Sequence, residues 1–345
     1  MKYYHMASAM GAISLSALLP VAHAQSNVTL FGVMDLAIRQ TNVGGGGSVN
    51  SLASGGIAGS RIGLRGTEQL GDGWSTSFWL EADIAADTGT ANPTAFWSRR
   101  STLAIANSRL GELRLGRDYV PLFSRQYVVF SPFGPNGVAS NGGMFFGAPS
   151  LLGSGSGASV RADNMIKYVL PSGLGGFYGE FMVSAAEGRS ANRHRGAVMG
   201  YAQGSWIVNA GFGNTDDAPG VDSIRLRTFG ASYDAGWAKF TTLVQRATYR
   251  ARRQNTMDVG VAVPVAAGTL KASLIRADQS GAGTDANDAN QLSLGYVYPM
   301  SKRTTLYGTY SRIDNKGTQS FGLGGVVPPA GRDMRGIEFG LNHTF

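Results

Sequence analysis

The stretch of sequence that decides the fold is Val28-Thr29-Leu30-Phe31-Gly32-Val33-Met34-Asp35-Leu36-Ala37-Ile38-Arg39. Every second residue from Val28 onward is apolar or glycine, whereas the residues between them include Thr29, Asp35 and Arg39. Successive side chains of a β-strand point to opposite faces, so this alternation predicts a strand with one apolar and one polar face. Strands of a soluble parallel sheet are apolar on both faces. We therefore expect the apolar set to face lipid and the polar set to face water.

The same alternation continues to the last residue of the chain. Around residue 80 it separates Trp74, Thr76, Phe78, Leu80, Ala82 and Ile84 from Ser75, Ser77, Trp79, Glu81 and Asp83. At the C-terminus it separates Ile337, Phe339, Leu341 and Phe345 from Glu338, Asn342 and Thr344. A barrel that ends on Phe345 would close at this residue.

Turn signals divide the chain after residue 26 into about sixteen such segments. Short connections rich in Gly, Pro, Asn and Asp fall at 70–73, 107–109, 171–175, 203–205, 234–236, 264–268 and 299–302. Longer connections alternate with them, at 40–56, 88–95, 120–160, 187–195, 214–223, 250–256, 277–289 and 314–333. Outer-membrane barrels combine short periplasmic turns with longer external loops. The sequence therefore predicts an all-β fold, a 16-stranded antiparallel transmembrane β-barrel.

The N-terminal residues predict a cleaved secretory signal peptide. Lys2 precedes an apolar stretch over 6–19, and Ala22-His23-Ala24 has the small-x-small form of a cleavage site. The alternative, a membrane-spanning helix, requires about 20 predominantly apolar residues, and this stretch is shorter and contains Ser, Gly and Pro. We expect residues 1–24 to be removed and residues 25–345 to form a single barrel domain.

Composition supports an exported membrane barrel rather than a disordered or disulfide-rich chain. The 345 residues include 50 glycines, but 43% hydrophobic and 10% aromatic content is too high for a disordered protein. There is no cysteine, which excludes disulfides, thiolate metal sites and a cysteine nucleophile. No apolar run of spanning length follows residue 24, so helical membrane spans are not expected.

The connection at 120–160 is the only one long enough to fill a barrel of this size. Sixteen to eighteen strands leave an aqueous channel unless the interior is occupied. A loop of this length without structure of its own is uncommon and usually functional. Its many apolar residues, such as Phe123, Tyr127 and Phe130, could pack against an inner wall. We predict a constriction loop folded into the lumen.

Several motifs resemble the general trimeric porins of Gram-negative bacteria, in particular the beta-proteobacterial branch. They are the first strand quoted above, Ser60-Arg61-Ile62-Gly63-Leu64-Arg65-Gly66, Leu115-Gly116-Arg117-Asp118-Tyr119 and the terminal Asn342-His343-Thr344-Phe345. The resemblance spans the whole mature chain. It implies an outer-membrane channel for passive diffusion of small hydrophilic solutes and ions. It also implies a homotrimer in contact with outer-membrane lipid and lipopolysaccharide, and insertion by the barrel assembly machinery through the terminal Phe345.

The resemblance also implies an arginine ladder at the constriction, formed by Arg61, Arg99 and Arg161, with Glu81 ordering it. Strand alternation independently groups Arg61 with Arg65, and Arg161 with Asp163 and Lys167. At the next position the two arguments differ, because simple alternation directs Arg100 rather than Arg99 to the lumen. Two further constriction candidates are Arg39, on the polar face of the first strand, and Arg117, at the start of the long loop.

The long loop departs from the pattern of cation-preferring porins, which carry a Pro-Glu-Phe-Gly type motif. Here the corresponding residues are Pro132, Phe133 and Gly134, and no Asp or Glu occurs between Tyr119 and Arg161. Arginine supplies 24 of the 30 basic residues, and rings of Arg or Lys characterise anion pores. The sequence therefore predicts an anion-selective channel that passes small anions.

Three other functions were weighed against a general pore. A sugar-specific or organic-anion-specific channel could use Phe96 and Trp97, or the loop aromatics, as a binding track. A barrel enzyme needs a base beside a nucleophile, but the mature chain has only His194, in a basic loop segment, and His343. The net charge of +8 does not make the protein a nucleic-acid binder, because the leader directs it to export. No cofactor or metal site is expected.

Overall fold

The protein is a closed antiparallel β-barrel of sixteen wall strands. The computed structural model describes residues 27–157, 159–185 and 193–345. The predicted leader at 1–24 lies outside these residues. In chain order the strands are β1 (Asn27–Val43), β2 (Ser48–Ser54), β3 (Arg61–Gly71), β4 (Trp74–Ala85), β5 (Thr90–Ala91), β6 (Arg100–Asn107), β7 (Gly111–Tyr119), β8 (Arg161–Val169), β9 (Phe177–Ser184), β10 (His194–Gln203), β11 (Trp206–Asp216), β12 (Ser223–Asp234), β13 (Lys239–Tyr249), β14 (Arg252–Val265), β15 (Gly268–Ser280), β16 (Asp288–Pro299), β17 (Thr304–Asn315) and β18 (Met334–Thr344).

The eighteen strands occupy only sixteen positions in the barrel wall, because β2 and β3 share one position and β5 is not part of the wall. β2 and β3 pair with successive parts of β1, so together they form one wall strand that is interrupted at residues 55–60. The two-residue β5 pairs only with the end of β4. Every other strand pairs with its sequence neighbour, and β1 pairs with β18 to close the barrel.

Closure depends on Gly32 and Phe345. The backbone N–H of each donates to the carbonyl of the other, at 3.0 and 3.1 Å. The Phe345 ring covers the position of the missing side chain, since a Cβ on Gly32 would lie 2.3 Å from Cζ of Phe345. The last residue of the chain is therefore built into the seam.

The predicted alternation of the wall strands is confirmed. In β1 the side chains of Leu30, Met34 and Ile38 are exposed, whereas Asp35 and Arg39 are buried. In β18, Phe339 is 63% exposed and Glu338 is 1% exposed. A surface that exposes its large apolar side chains and buries its charges is the reverse of a soluble protein and fits a barrel with lipid outside.

All seven short connections lie between strands as predicted, but two of the long ones are wrong. Most of the predicted connection 187–195 lies outside the described residues. The predicted loop 40–56 is mostly strand, because β1 and β2 form a hairpin whose tip is only residues 44–47. The predicted loop 250–256 is a tight turn, with Arg250 and Ala251 the only residues between β13 and β14. In both places polar strand residues resembled a loop, since strands that rise beyond the lipid lose their apolar face.

Candidate pore constriction

The long connection between β7 and β8 carries the only helices among the described residues. They are a π-helical turn at Phe123–Tyr127 and short α-helical turns at Val128–Phe130, Gly142–Phe146 and Ala148–Leu151. None of the helices in the described ranges is long and apolar enough to cross a membrane.

Tyr127 ties two parts of the connection together. Burial raises the pKa of its hydroxyl above the usual range, so the hydroxyl stays protonated and donates a hydrogen bond to the Gly134 carbonyl at 2.8 Å.

Three side chains of this connection, Phe130, Pro132 and Phe133, occupy the spaces left by wall glycines. A Cβ on Gly230 of β12 would lie 2.2 Å from the Phe130 ring. A Cβ on Gly260 of β14 would lie 2.1 Å from Cγ of Pro132. A Cβ on Gly295 of β16 would lie 2.8 Å from the Phe133 ring. Glycines on alternate strands therefore form a row of seats for the connection, which we call the glycine seats (Gly230, Gly260 and Gly295).

Hydrogen bonds from buried polar wall residues hold the rest of the connection. Asn141 donates to Asp258 at 2.8 Å. The Gln245 and Gln254 amides donate to the backbone carbonyls of Phe145 and Met144, at 2.7 and 2.6 Å. The Val138 N–H donates to Glu338 at 3.1 Å. The connection is thus bonded to the polar face of β13, β14 and β18, the face opposite the exposed apolar side chains.

Arg61, Arg99 and Glu81 lie together, as the sequence predicts. Nε of Arg99 is 2.6 Å from Glu81 Oε1, and its Nη1 is 2.9 Å from Asp83 Oδ1. Nε of Arg61 is 3.9 Å from the same oxygen of Glu81. Burial alone would lower the pKa of the Arg99 guanidinium, but Tyr119, Glu81 and Asp83 outweigh it and raise that pKa above its usual value. Glu81 therefore orders two arginines at once.

Arg99 and Arg100 both join this region. Arg100 begins β6, and its Nε donates to Thr102 on the polar face at 3.0 Å. Its guanidinium lies 4.5 Å from the Trp79 ring centroid and 3.9 Å from Asp118. Arg99 precedes the strand, so alternation does not govern its side chain. Arg100 thus lies on the same side of β6 as Thr102, whereas Arg99 lies outside the strand.

Arg161 is held by a neutral group rather than by a carboxylate. Its Nη2 donates to the Tyr119 hydroxyl at 2.7 Å, and its guanidinium lies 4.3 Å from the centroid of the Tyr119 ring. Nη2 of Arg99 donates to the same hydroxyl at 2.9 Å. Within the described chain, no carboxylate comes within 4.0 Å of Arg161, and its buried Nε has no hydrogen-bond partner. Sequence reasoning missed Tyr119 as the link between the two arginines.

Asp163 does not lie with Arg161 and Lys167 as expected, because a bulge interrupts β8. The register of β7 and β8 shifts between Gly116 and Asp118, and Asn164 has a positive φ of 51°. Asp163 is exposed and pairs with Arg117. Lys167 is buried and lies 3.0 Å from Asp118 and 3.6 Å from Glu180. One extra residue in one strand is enough to break the alternation on which the grouping depended.

A second ion-pair group adjoins the first and was also missed. Asp118 forms an ion pair with Arg114, whose Nη1 is 2.6 Å from Oδ2 of Asp118, in addition to its pair with Lys167. Glu180 forms an ion pair with Arg125, whose Nε is 2.6 Å from Oε1 of Glu180. Arg125 is the only charged residue of the connection. The sequence signal was weak, since Arg114 is one of many strand arginines and Glu180 belongs to a strand that no motif marks.

Arg65 and Arg39 occupy different surroundings from the ladder. The Arg65 guanidinium lies against the paired rings of Phe31 and Trp79, at 5.2 and 5.1 Å from their centroids. Arg39 is buried and bonded to Glu338 at 2.8 Å and to the Gly324 carbonyl at 2.9 Å. The guanidinium of Arg39 is thus buried and engaged in hydrogen bonds, whereas the side chain of Arg65 is exposed.

The two histidines have structural surroundings. His194 begins β10 and is 2% exposed, so its predicted place in a loop is wrong. Its Nδ1 lies 2.9 Å from the Thr215 hydroxyl. His343 contacts the Thr304 hydroxyl at 2.9 Å. Each histidine thus has a threonine hydroxyl as its side-chain partner, which gives no nucleophile–base–acid arrangement.

The aromatic residues considered as a sugar track are packed on one another. Phe96 and Trp97 meet edge to face with centroids 4.7 Å apart. In the connection, Tyr127 contacts both Phe145 and Phe146. The rings of Tyr127 and Phe145 are buried, whereas Phe96 remains 59% exposed.

The comparisons with known proteins agree with this architecture. The sequence model of a family described as "Gram-negative porin" matches residues 9–318. The "Outer membrane porin protein 32" of Delftia acidovorans is 34% identical, over 99% of this chain and 100% of the relative. An outer membrane porin of Bordetella pertussis is 26% identical, over 88% of this chain and 93% of the relative.

Among solved structures, the "Anion-selective porin from Comamonas acidovorans" superposes with a TM-score of 0.83 at 33% identity. The match covers 93% of this chain and 100% of that porin. Fold, full-length coverage and identity above 30% agree, and the chain belongs to the Gram-negative porin family of the outer membrane.

Proposed function

We propose that this porin is an anion-selective pore whose lumen is narrowed by the connection 120–160. As a porin it is a passive channel of the outer membrane and not an enzyme. The selectivity and the constriction are inferences about this chain. They rest on the charges gathered beside the connection and on its contacts with the polar face of the wall.

The observation that carries the proposal is an excess of cations that carboxylates cannot neutralise. Seven basic groups are linked through hydrogen bonds and ion pairs, namely Arg61, Arg99, Arg100, Arg114, Arg125, Arg161 and Lys167. Five carboxylates belong to the same network, Glu81, Asp83, Glu112, Asp118 and Glu180. Several of these carboxylates are shared, and the connection adds none of its own.

A net positive network beside a narrow passage favours anions for an electrostatic reason. Low-dielectric walls focus the field of fixed charges into the water between them and raise the local concentration of counter-ions. Arginine keeps its charge at every physiological pH and offers several N–H donors to carboxylate or phosphate oxygens. Arg161, which lacks a carboxylate partner, is the cation best suited to meet a passing anion.

The assembly predicted from the resemblance belongs to the same proposal. A homotrimer would cover part of the exposed apolar outer face, and the remainder would contact lipid and lipopolysaccharide. Phe345 would serve the barrel assembly machinery as its recognition residue before it enters the seam with Gly32. The natural solute is proposed only as a class, small hydrophilic anions. A general pore is favoured over a sugar channel because most aromatic rings of the connection are buried.

The decisive experiment is the reversal potential of the purified porin in a planar lipid bilayer under a KCl gradient. At 0.01 M salt the Debye length is about 30 Å, so the fixed charges act across the whole passage, whereas at 1 M it is about 3 Å. We expect the sign of an anion-selective channel, strongest in dilute salt. A cation sign at low salt would refute the proposal.

A further inference from the structure

Lys271 is a cation on the part of the wall that the connection 120–160 covers. It is the fourth residue of β15, where the exposed Leu270 precedes it and the buried Ser273 and Ile275 follow on its own face. That face is the inner one, because the exposed apolar side chains mark the outer face of the barrel. Since Lys271 is only half-buried, the water that its side chain meets is the water of the lumen.

The Lys271 ammonium bonds the tip of the connection through its backbone. Nζ donates a hydrogen bond to the Pro132 carbonyl at 3.0 Å. In the register of β15 and β16, Lys271 is directly opposite Gly295, the seat of the Phe133 ring. The seat of Pro132, Gly260, lies on β14, the strand on the other side of β15. Lys271 therefore bonds the peptide that joins Pro132 to Phe133, between the two strands that carry their seats.

The charge of Lys271 is not neutralised by a carboxylate. Within the described chain both lysine ion pairs are formed by Lys167, so no carboxylate lies within 4.0 Å of the Lys271 ammonium. The inner carboxylate of the neighbouring strand, Asp258, is opposite Ile275 in the register and is bonded by Asn141. The only hydrogen-bond partner of Lys271 in that part of the chain is thus the uncharged Pro132 carbonyl.

Lys271 lies on the opposite side of the lumen from the arginines. Of the sixteen wall strands, β15 is the eighth from β7 in either direction, so these two strands face each other across the barrel. On the inner faces of the described strands β12–β17, the other cations are Lys239 and Arg252, which begin their strands. Lys239 is directly opposite Asp234 in the register. Lys271 is therefore the one inner cation of this side that lies within a strand.

We propose that Lys271 is a selectivity-determining residue, which gives passing anions a positive charge on the side of the connection as well as on the arginine wall. Rings of Arg or Lys characterise anion pores, and a cation opposite the arginines completes such a ring. Lysine suits this place because its ammonium is a compact charge with three donors. One N–H stays on the Pro132 carbonyl while the others meet a carboxylate or phosphate oxygen. This role rests on the proposed anion selectivity.

The test is the reversal potential of the full-length porin and its Lys271 variants in a planar bilayer under a gradient of dilute KCl. Lys271→Arg keeps the charge and should keep the anion-to-cation permeability ratio. Lys271→Gln replaces the charge by an amide donor, and we expect the ratio to fall by roughly twofold to fivefold. Lys271→Glu reverses the charge and should lower the ratio further. Conductance in 1 M KCl, where charge is screened, should change less than the ratio does.

Lys302→Gln is the matched control, because it removes the same charge from the short turn between β16 and β17. An equal shift by Lys302→Gln and Lys271→Gln overturns the role, since the position of the charge would then not matter. A shift in Lys271→Gln that is matched by an equal change of conductance in 1 M KCl also overturns it, because the connection would have moved.

Two further outcomes separate this role from the proposed function. An anion sign that is equal in the unaltered porin, Lys271→Gln and Lys271→Glu overturns the role of Lys271 alone. A cation sign of the unaltered porin at low salt refutes the proposed function and this role with it.

Discussion

Nη2 of Arg161 donates a hydrogen bond to the hydroxyl of Tyr119, and the same guanidinium stacks 4.3 Å above the Tyr119 ring. Tyrosine fixes the arginine in place without adding a negative charge. A carboxylate in the position of that hydroxyl would hold the side chain as firmly but would cancel its field. Orientation by a neutral aromatic residue is therefore how this wall can position an arginine and leave its charge available.

Arg161→Ser should reduce the anion preference without closing the channel. A unit positive charge about 8 Å from a passing ion, in water, stabilises an anion and destabilises a cation by about 0.5 kcal/mol each, so its removal changes the anion-to-cation permeability ratio by roughly fivefold. The double variant Arg61→Ser/Arg161→Ser should change it further. Reversal potentials in dilute KCl measure the effect.

The control for these variants is Arg225→Ser, which removes the same charge from the outer face. Tyr119→Phe is the second control, since it removes the hydroxyl acceptor but no cation, and the sign of the reversal potential should persist. If Arg225→Ser shifts selectivity as much as Arg161→Ser does, total charge and not the network controls permeation.

Val128→Glu should move the selectivity towards cations. Val128 belongs to the long connection, is 52% exposed and lies in a segment with no native carboxylate. A new carboxylate there would oppose the field of the wall arginines, and Val128→Gln supplies the same size without the charge. The prediction is wrong if the Glu and Gln variants give the same reversal potential at low salt.

Gly260→Ala should displace the connection and change the size of the passage. The added methyl group would lie 2.1 Å from Cγ of Pro132, so wall and connection must separate. Overpacking of this kind costs about 1 to 3 kcal/mol. We expect altered single-channel conductance in 1 M KCl, where charge is screened, and a lower unfolding temperature.

Gly47→Ala is the matched control, because the space around Gly47 is open within 4 Å. Conductance equal to that of the unaltered porin in both variants would show that Pro132 does not determine the aperture.

Deletion of Phe345 should impair assembly while export continues. The deletion removes two backbone hydrogen bonds with Gly32 and the ring that covers it. We expect less heat-modifiable porin in the outer membrane and more unfolded chain in the periplasm, measured by fractionation and gel migration. Phe345→Tyr keeps an aromatic ring and should assemble well. Normal amounts of folded porin from the deletion strain would contradict the prediction.

The sequence predicted the barrel well because its signal is repeated in every wall strand. Alternation between lipid-facing and water-facing residues is set by the pleat, so each strand reports its own orientation, and Arg61, Arg100 and Glu81 followed from it. The signal failed where strands leave the lipid, as at the β1–β2 hairpin, and where a bulge adds a residue, as at Asn164.

Other parts of the candidate site had no local signal. Tyr119 joins Arg99 to Arg161 only because β6, β7 and β8 are adjacent, and nothing in its own neighbourhood marks it as an acceptor. The glycine seats were hidden among 50 glycines that turns and strands explain equally well. They are recognised only when Phe130, Pro132 and Phe133 are seen to fill them.

The glycine seats separate two properties of the channel that would otherwise be linked. The wall arginines of the network lie on or beside β3, β6, β7 and β8, whereas the seats lie on β12, β14 and β16. A methyl group gained at one seat would alter how far the connection stands from the wall while every wall arginine stayed where it is. The cut-off for solute size and the preference for ion sign can therefore change independently, by evolution or by engineering, without a change of fold.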